Sequence, residues 1–397
     1  MITVRPEVAM IDAKIADSLR ETEGRLRAAH ATHLGYPYNL TGRSPIPSGM
    51  AELLINNLGD PYAGSHFASE VCGLELQAIE WLQNLWEAGA VGETWGSIGA
   101  SGTEGNLWAI YLGREALPSA VLIHSEEAHY SIPKAARLLR IETRSVRCLD
   151  SGAIDVTALG ETLATVNARP VIVVLTCGTT MKGAHDDVAA VMNCLDVHGF
   201  RPGKRFVHLD GALNAMVLPF LEGVPDGLMP TFRHQIDSIS TSGHKMIGTP
   251  MPCGVLIAQK KHVDRVASSV AYLRSNDTTL MGSRNGHAVV AVWARLFGYG
   301  QARYAEDARR CVEKAQFLAG QLAIWGAAPL WNPYGMTVVF PEPEERIVNR
   351  YQLACYRGQA HAIIMPNVTD DLIQEFLEEY LCWWRRSGFL KIERERE

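Results

Sequence analysis

Ser240-Thr241-Ser242-Gly243-His244-Lys245-Met246-Ile247-Gly248 delivers one lysine on a turn of small polar residues. The turn follows Ile236-Asp237-Ser238-Ile239, an apolar-polar alternation that reads as a strand. Lys245 therefore stands just beyond a strand end. Such a turn presents an amine for Schiff-base chemistry and small donors for a phosphate. A lone Gly-His-Lys also suits an ordinary loop, so its meaning depends on what surrounds it.

Outward from that turn, strands alternate with helices. Residues 103–116 carry helical spacing, with Leu107, Ile110 and Tyr111 on one side. Val121-Leu122-Ile123 is a short apolar strand, and 133–140 a basic helix. The unbroken run Val171-Ile172-Val173-Val174-Leu175 suits a strand covered on both faces. Helix 188–197, strand 206–209 ending at Asp210, and strand 254–258 complete the pattern. This alternation predicts an open, mostly parallel α/β sheet, with ligands at the carboxyl ends of the strands. Asp210, Gly178-Thr179-Thr180 and the lysine turn all follow strands directly.

The flanks differ. Residues 7–31 place Ile11, Ile15, Leu19 and Leu26 on one helical face, and a Gly/Pro-rich irregular segment follows from Gly35 to Pro47. After about 285 come helices at 288–298 and 304–325, strands at 336–340 and 362–365, and a helix at 371–383. Three regions are expected: an N-terminal helix and arm (1–54), a large α/β domain (55–284) and a small α+β domain (285–397). The tail 391–397 is charged and expected to fray.

Of the 397 residues, 47% are hydrophobic and 20% charged, the ordinary composition of a globular chain. A net charge of -6 without a basic patch argues against nucleic acid as partner. Eight scattered cysteines with no C-x-x-C pair argue against zinc and disulfide frameworks, so no metal is expected. Reduced thiols and the lack of a signal-like N-terminus point to a cytoplasmic protein. No apolar run approaches the ~20 residues that span a bilayer, so no membrane partner is expected.

Four pieces carry chemistry in combination. Ser101-Gly102-Thr103-Glu104-Gly105-Asn106 opens a helix, where backbone N–H groups and hydroxyls favour an anion. The same residues suit a capping box. His129, after the strand at 121–123, can lie on an aromatic ring or be an ordinary bonded histidine. Asp210 is a strand-end carboxylate that needs a positive partner or serves as an N-cap. With Lys245 they describe a pyridoxal 5'-phosphate site: anchor, stacking ring, partner for the pyridine nitrogen, and Schiff-base amine.

Further stretches extend the match. They are Gly35-Tyr36-Pro37, Leu112-Gly113-Arg114-Glu115, His129-Tyr130-Ser131, Asp210-Gly211-Ala212-Leu213, Pro252-Cys253-Gly254 and Gly282-Ser283-Arg284-Asn285-Gly286-His287. Met365-Pro366-Asn367-Val368-Thr369 is similar to a plant branch. Over about 30–380 the chain resembles the group II pyridoxal-phosphate-dependent amino-acid decarboxylases, in the branch of bacterial histidine and plant serine decarboxylases.

The resemblance implies a fold-type-I, aspartate-aminotransferase-like enzyme with a large mixed, mostly parallel sheet and a small C-terminal α+β domain. It implies a homodimer with shared active sites. It assigns Lys245 as the cofactor lysine, Asp210 to the pyridine nitrogen and His129 to the ring face. Ser101, Gly102, Thr103, Ser242 and His244 hold the phosphate, Thr180 lies near the cofactor's phenolic oxygen, Ala212 is a further cofactor-binding position, and Ser283 reaches in from the second subunit. Tyr272 matches a mobile-loop proton donor, with His129 second. Tyr36, Tyr38 and Asn39 are expected near the substrate, and His66 in the side-chain pocket formed by 57–67. That pocket departs from both branches after Asp60-Pro61.

The expected reaction is decarboxylation of an L-amino acid, histidine first, with serine or a small aliphatic amino acid open. Transamination, elimination or oxidative decarboxylation is the alternative. An aminotransferase calls for a small-domain arginine, and Arg350 and Arg357 are available. A non-catalytic member of the family is a third reading, and the intact Lys245, Asp210 and His129 argue against it.

Overall fold

The structure, a computed structural model, describes residues 6–41, 46–89 and 92–387. The tail 391–397 and part of the irregular segment, 42–45, lie outside them. Helix α1 (Pro6–Ala31) matches the predicted span. Its apolar stripe is left uncovered by its own chain: Ile15, Leu19 and Leu26 are 53%, 64% and 44% exposed.

A seven-stranded sheet organises the molecule. In chain order its strands are β1 (Thr94–Gly99), β2 (Val121–Ser125), β3 (Thr143–Val146), β4 (Val171–Thr176), β5 (Arg205–Asp210), β6 (Ser238–Ser242) and β7 (Gly254–Gln259). Their spatial order is β1-β7-β6-β5-β4-β2-β3, and β7 alone pairs antiparallel to its neighbours. The apolar run of β4 shows why it is central. Val171, Val173 and Leu175 enter one hydrophobic cluster and Ile172 and Val174 the other, all five fully buried. Period-two alternation thus buries both faces. Each such side chain contributes about 1.5–3 kcal/mol relative to exposure.

Helix α2 (Cys72–Leu85) and strand β1 have no counterpart among the predicted elements. Gly96 lets them pack, because a Cβ there would meet Ile79 Cγ2 at 2.7 Å. Helices α3 (Gly102–Ala116), α4 (Ser131–Leu139), α5 (Val156–Thr165) and α6 (Val188–Val197) follow in sequence. Strand β6 lies two residues beyond the predicted 236–239, since Asp237 is spent bonding Val207 N and His262.

The Gly282–His287 motif is mostly structural. Arg284 forms a buried ion pair with Glu75, whose carboxylate also accepts from Ile98 N at 2.8 Å and Asn57 Nδ2 at 2.7 Å. Asn285 caps helix α7 (Gly286–Ile324), which breaks at Gly300 (φ 75°). The two helices read at 288–298 and 304–325 are the halves on either side of that break. Beyond it, strands β8 (Leu330–Trp331), β9 (Thr337–Pro341), β10 (Ala354–Tyr356) and β11 (Gln359–Ile363) form an antiparallel sheet in the order β8-β9-β11-β10. Helix α8 (Asp370–Arg386) packs Phe376 and Tyr380 on Phe340. Among the described residues no helix is long and apolar enough to cross a membrane.

Candidate active site

Parallel strands bring their carboxyl ends to one edge. Thr176 at the end of β4 pairs with Asp210 at the end of β5, and Asp210 with Ser240 on β6. The lysine turn leaves β6 at the same edge. It spans Gly243–Ile247, with Lys245 in a non-helical conformation (φ -87°, ψ -122°). Its carbonyls are held from three sides. Asn39 Nδ2 bonds Met246 O at 3.0 Å, and Arg295 Nε and Tyr304 Oη bond Ile247 O at 2.9 and 3.2 Å.

A cavity of about 270 Å³ opens over this edge. Lys245 lines it, and no hydrogen bond or ion pair to its amine is made among the described residues. Burial lowers the Lys245 pKa, against the pull of the Asp210 carboxylate. The amine is thereby easier to free of its proton, as nucleophilic chemistry requires.

Ser101, Gly102, Thr103, Ser242 and His244 line the cavity. Gly102 leaves room for the Ser242 hydroxyl, since a Cβ there would lie 2.4 Å from Ser242 Oγ and turn it aside. The Ser101 hydroxyl caps α3, accepting from Glu104 N at 3.2 Å, yet its own hydrogen stays free to donate. The cap and the anion site are therefore one structure, with the helix dipole favouring negative charge.

Asp210, Ala212, His129 and Thr180 line the same cavity. Asp210 is 4% exposed and accepts from Asn106 Nδ2 at 2.7 Å and Ala212 N at 3.1 Å. A carboxylate buried there calls for a cation, and a pyridinium nitrogen would supply one. Burial lowers the His129 pKa, so its ring is neutral and suited to stacking. The donor set, the anion cradle and the lone amine fit pyridoxal 5'-phosphate.

The remaining predicted residues divide. Tyr36 lines the cavity; Tyr38 packs behind it, 4.6 Å between ring centroids. Asn39 is buried behind the lysine turn, its Oδ1 accepting from Thr41. His66 is exposed beside Phe67, off the cavity. Tyr272 is 73% exposed in the turn between strands Ser268–Val270 and Ser275–Asp277. Ser283 is exposed on a two-stranded ribbon, accepting from Asn56 Nδ2. None of these last four lines the cavity of its own chain.

Other lining residues were not singled out from sequence. Asn106 sat inside the helix-opening motif and Tyr130 beside His129, so both had a signal. Asn214, Thr337 and His361 had none, being brought in by tertiary packing. Arg350 pairs with Glu375 and Glu379, Arg357 stacks on Tyr356 at 5.0 Å, and neither lines the cavity.

Comparison with known proteins agrees with this geometry. Residues 36–339 match the pyridoxal-dependent decarboxylase conserved domain. Serine decarboxylase 1 of Oryza sativa subsp. japonica is 40% identical over 360 residues, covering 90% of this chain and 74% of that protein. Histidine decarboxylase of Solanum lycopersicum is 37% identical, covering 88% and 84%. The crystal structure of L-methionine decarboxylase from Streptomyces sp.590 superposes with a TM-score of 0.84 at 25% identity, covering 93% of this chain and 95% of that one. These matches confirm the expected fold type and branch. The chain belongs to the pyridoxal-dependent decarboxylases, carboxy-lyases that act on amino acids with pyridoxal 5'-phosphate as cofactor.

Proposed function

We propose that the substrate is an L-amino acid with an uncharged side chain, histidine first and serine or a small aliphatic amino acid next. One observation carries this reading. Among the described residues the cavity has no arginine, and no carboxylate other than Asp210. Its lining also includes Tyr36, Tyr130, Thr337, Ala354 and Ile363. His361 lines it too, its two ring nitrogens facing Met181 O at 3.0 Å and Gly35 O at 3.1 Å. An acidic or strongly basic side chain would be buried without a counter-charge, which costs several kcal/mol. The serine and histidine decarboxylases among the relatives support an uncharged side chain. The absence of a cavity arginine favours decarboxylation over transamination.

Bound here, pyridoxal 5'-phosphate supplies an electron sink for the bond broken at the substrate α-carbon. The protein supplies position and charge. Lys245 would hold the cofactor through its amine. Asp210 would supply the counter-charge for a protonated pyridine nitrogen. Ser101, Gly102, Thr103, Ser242 and His244 would hold the phosphate, and His129, Ala212 and Thr180 would complete the cofactor's surroundings. Tyr36, with Tyr38 behind it, would set the substrate end, and Asn39 acts from behind the lysine turn.

Tyr272, His66 and Ser283 belong to the site of a second copy in this reading. Their exposure supports it, as do the uncovered apolar residues of α1 and Leu54, 83% exposed. The working unit is then a homodimer with shared sites. The chain's eight cysteines, all free, support a cytoplasmic location.

A panel of carboxyl-labelled amino acids tests the substrate class. Histidine or serine should release CO2 with a kcat/KM at least about 10²-fold above glutamate and lysine. Preferred turnover of either charged amino acid would refute the reading.

A further inference from the structure

One amide in the cavity wall holds Asp210 directly and His129 through Ser131. Asn106 is 2% exposed, and every hydrogen-bonding position of its side chain is engaged. Its Nδ2 donates to Asp210 Oδ2 at 2.7 Å and to Ser131 Oγ at 3.0 Å. Its Oδ1 faces His208 Nε2 at 3.0 Å and Ser240 Oγ at 2.9 Å. Chemistry fixes the direction. An ionised Asp210 only accepts, so the NH2 group must face it. The Oδ1 then needs donors, which puts the His208 proton on Nε2. His208 Nδ1 is left to accept from Ser238 Oγ at 2.9 Å.

The other end follows the same rule. Ser131 Oγ accepts from Asn106 and stands 2.8 Å from His129 Nδ1. The Ser131 backbone N–H donates to the same nitrogen at 3.3 Å. A ring nitrogen that accepts from a backbone N–H carries no proton of its own, so the Ser131 hydroxyl donates to it as well and the proton of neutral His129 sits on Nε2.

We infer that Asn106 is a positioning residue whose relay through Ser131 holds His129 as the Nε2–H tautomer, making it a neutral hydrogen-bond donor to the cavity and not the acid that delivers a proton. Giving up that proton would leave an imidazolate, which is inaccessible near neutral pH. The inference rests on reading the cavity as the decarboxylase site. The groups facing His129 agree with a neutral ring. Burial is the largest influence and lowers its pKa; Asp210 opposes it, Lys245 and Lys134 add to it. Tyr130 lies against the ring at 4.1 Å.

Nitrogen NMR of the full-length holoenzyme, labelled with 15N-histidine and assigned with His129→Gln, reads the tautomer. His129 should show a pyridine-type Nδ1 and a pyrrole-type Nε2. Ser131→Ala should shift the tautomer ratio about fivefold or more toward Nδ1–H, the scale of one net hydrogen bond. Ser131→Thr restores the hydroxyl and should restore the ratio. A protonated Nδ1 in the unmodified chain, or an unmoved ratio in Ser131→Ala, overturns the relay. The readout needs no turnover. A chain with the expected tautomer that releases no CO2 refutes the decarboxylase reading alone, and a decarboxylating chain with Nδ1 protonated refutes the relay alone.

Discussion

Lys245→Ala should lower CO2 release by at least about 10³-fold, the scale on which loss of a covalent catalytic group acts. The variant should still bind the cofactor reversibly, because the cradle of Ser101, Gly102, Thr103 and Ser242 and the Asp210 carboxylate are untouched. Its melting temperature should not fall. The substitution removes a desolvated amine that has no protein partner among the described residues, so little stabilisation is lost with it. Single-turnover CO2 assays and thermal melts decide the matter. Activity within tenfold of the parent would move the tether to another residue. A collapsed melt would make Lys245 a structural lysine.

Asp210→Asn is the second large effect. The substitution keeps shape but removes the one carboxylate of the cavity wall. Asn106 Nδ2, now 2.7 Å from Asp210 Oδ2, would hold the new amide by its carbonyl and leave its NH2 in place of Oδ1, which now accepts from Ala212 N. The pyridine nitrogen would then meet a donor in place of an acceptor and lose its proton. Removing the partner of a buried charge costs about 3–5 kcal/mol, and about 1.4 kcal/mol is tenfold in rate. The kcat should therefore drop by roughly 10²–10⁴, with weaker cofactor binding in a titration. A kcat within about fivefold of the parent would mean that Asp210 is no more than a cap for the turn that follows it.

Much of this was legible in the chain because local signals and tertiary structure agree. The five apolar residues of β4 read as a strand covered on both faces, and the structure buries them that way. The gap between the helices read at 288–298 and 304–325 coincides with the break at Gly300. Where the reading fell short, distant residues decide. Strand β1 carries Gly96 and Ser97 in a run too polar to stand out, and it exists because β7 and α2 cover it.

The site shows the same division. Residues on strand ends and helix openings could be placed together, because parallel strands share an edge. Asn106 was visible only as part of a capping segment; its bonds to Asp210 and His208 span 104 and 102 residues of sequence. His361 arrives from β11, 116 residues beyond Lys245, and no local pattern announces it. Tyr272, His66 and Ser283 stand off the cavity of their own chain, so a single copy leaves their partners unspecified.

Borohydride reduction of the yellow holoenzyme, followed by peptide mass mapping, tests the central claim most directly. The account predicts a single phosphopyridoxyl adduct on the peptide that carries Ser242-Gly243-His244-Lys245, located on Lys245. An adduct on any other lysine, or none, would contradict it.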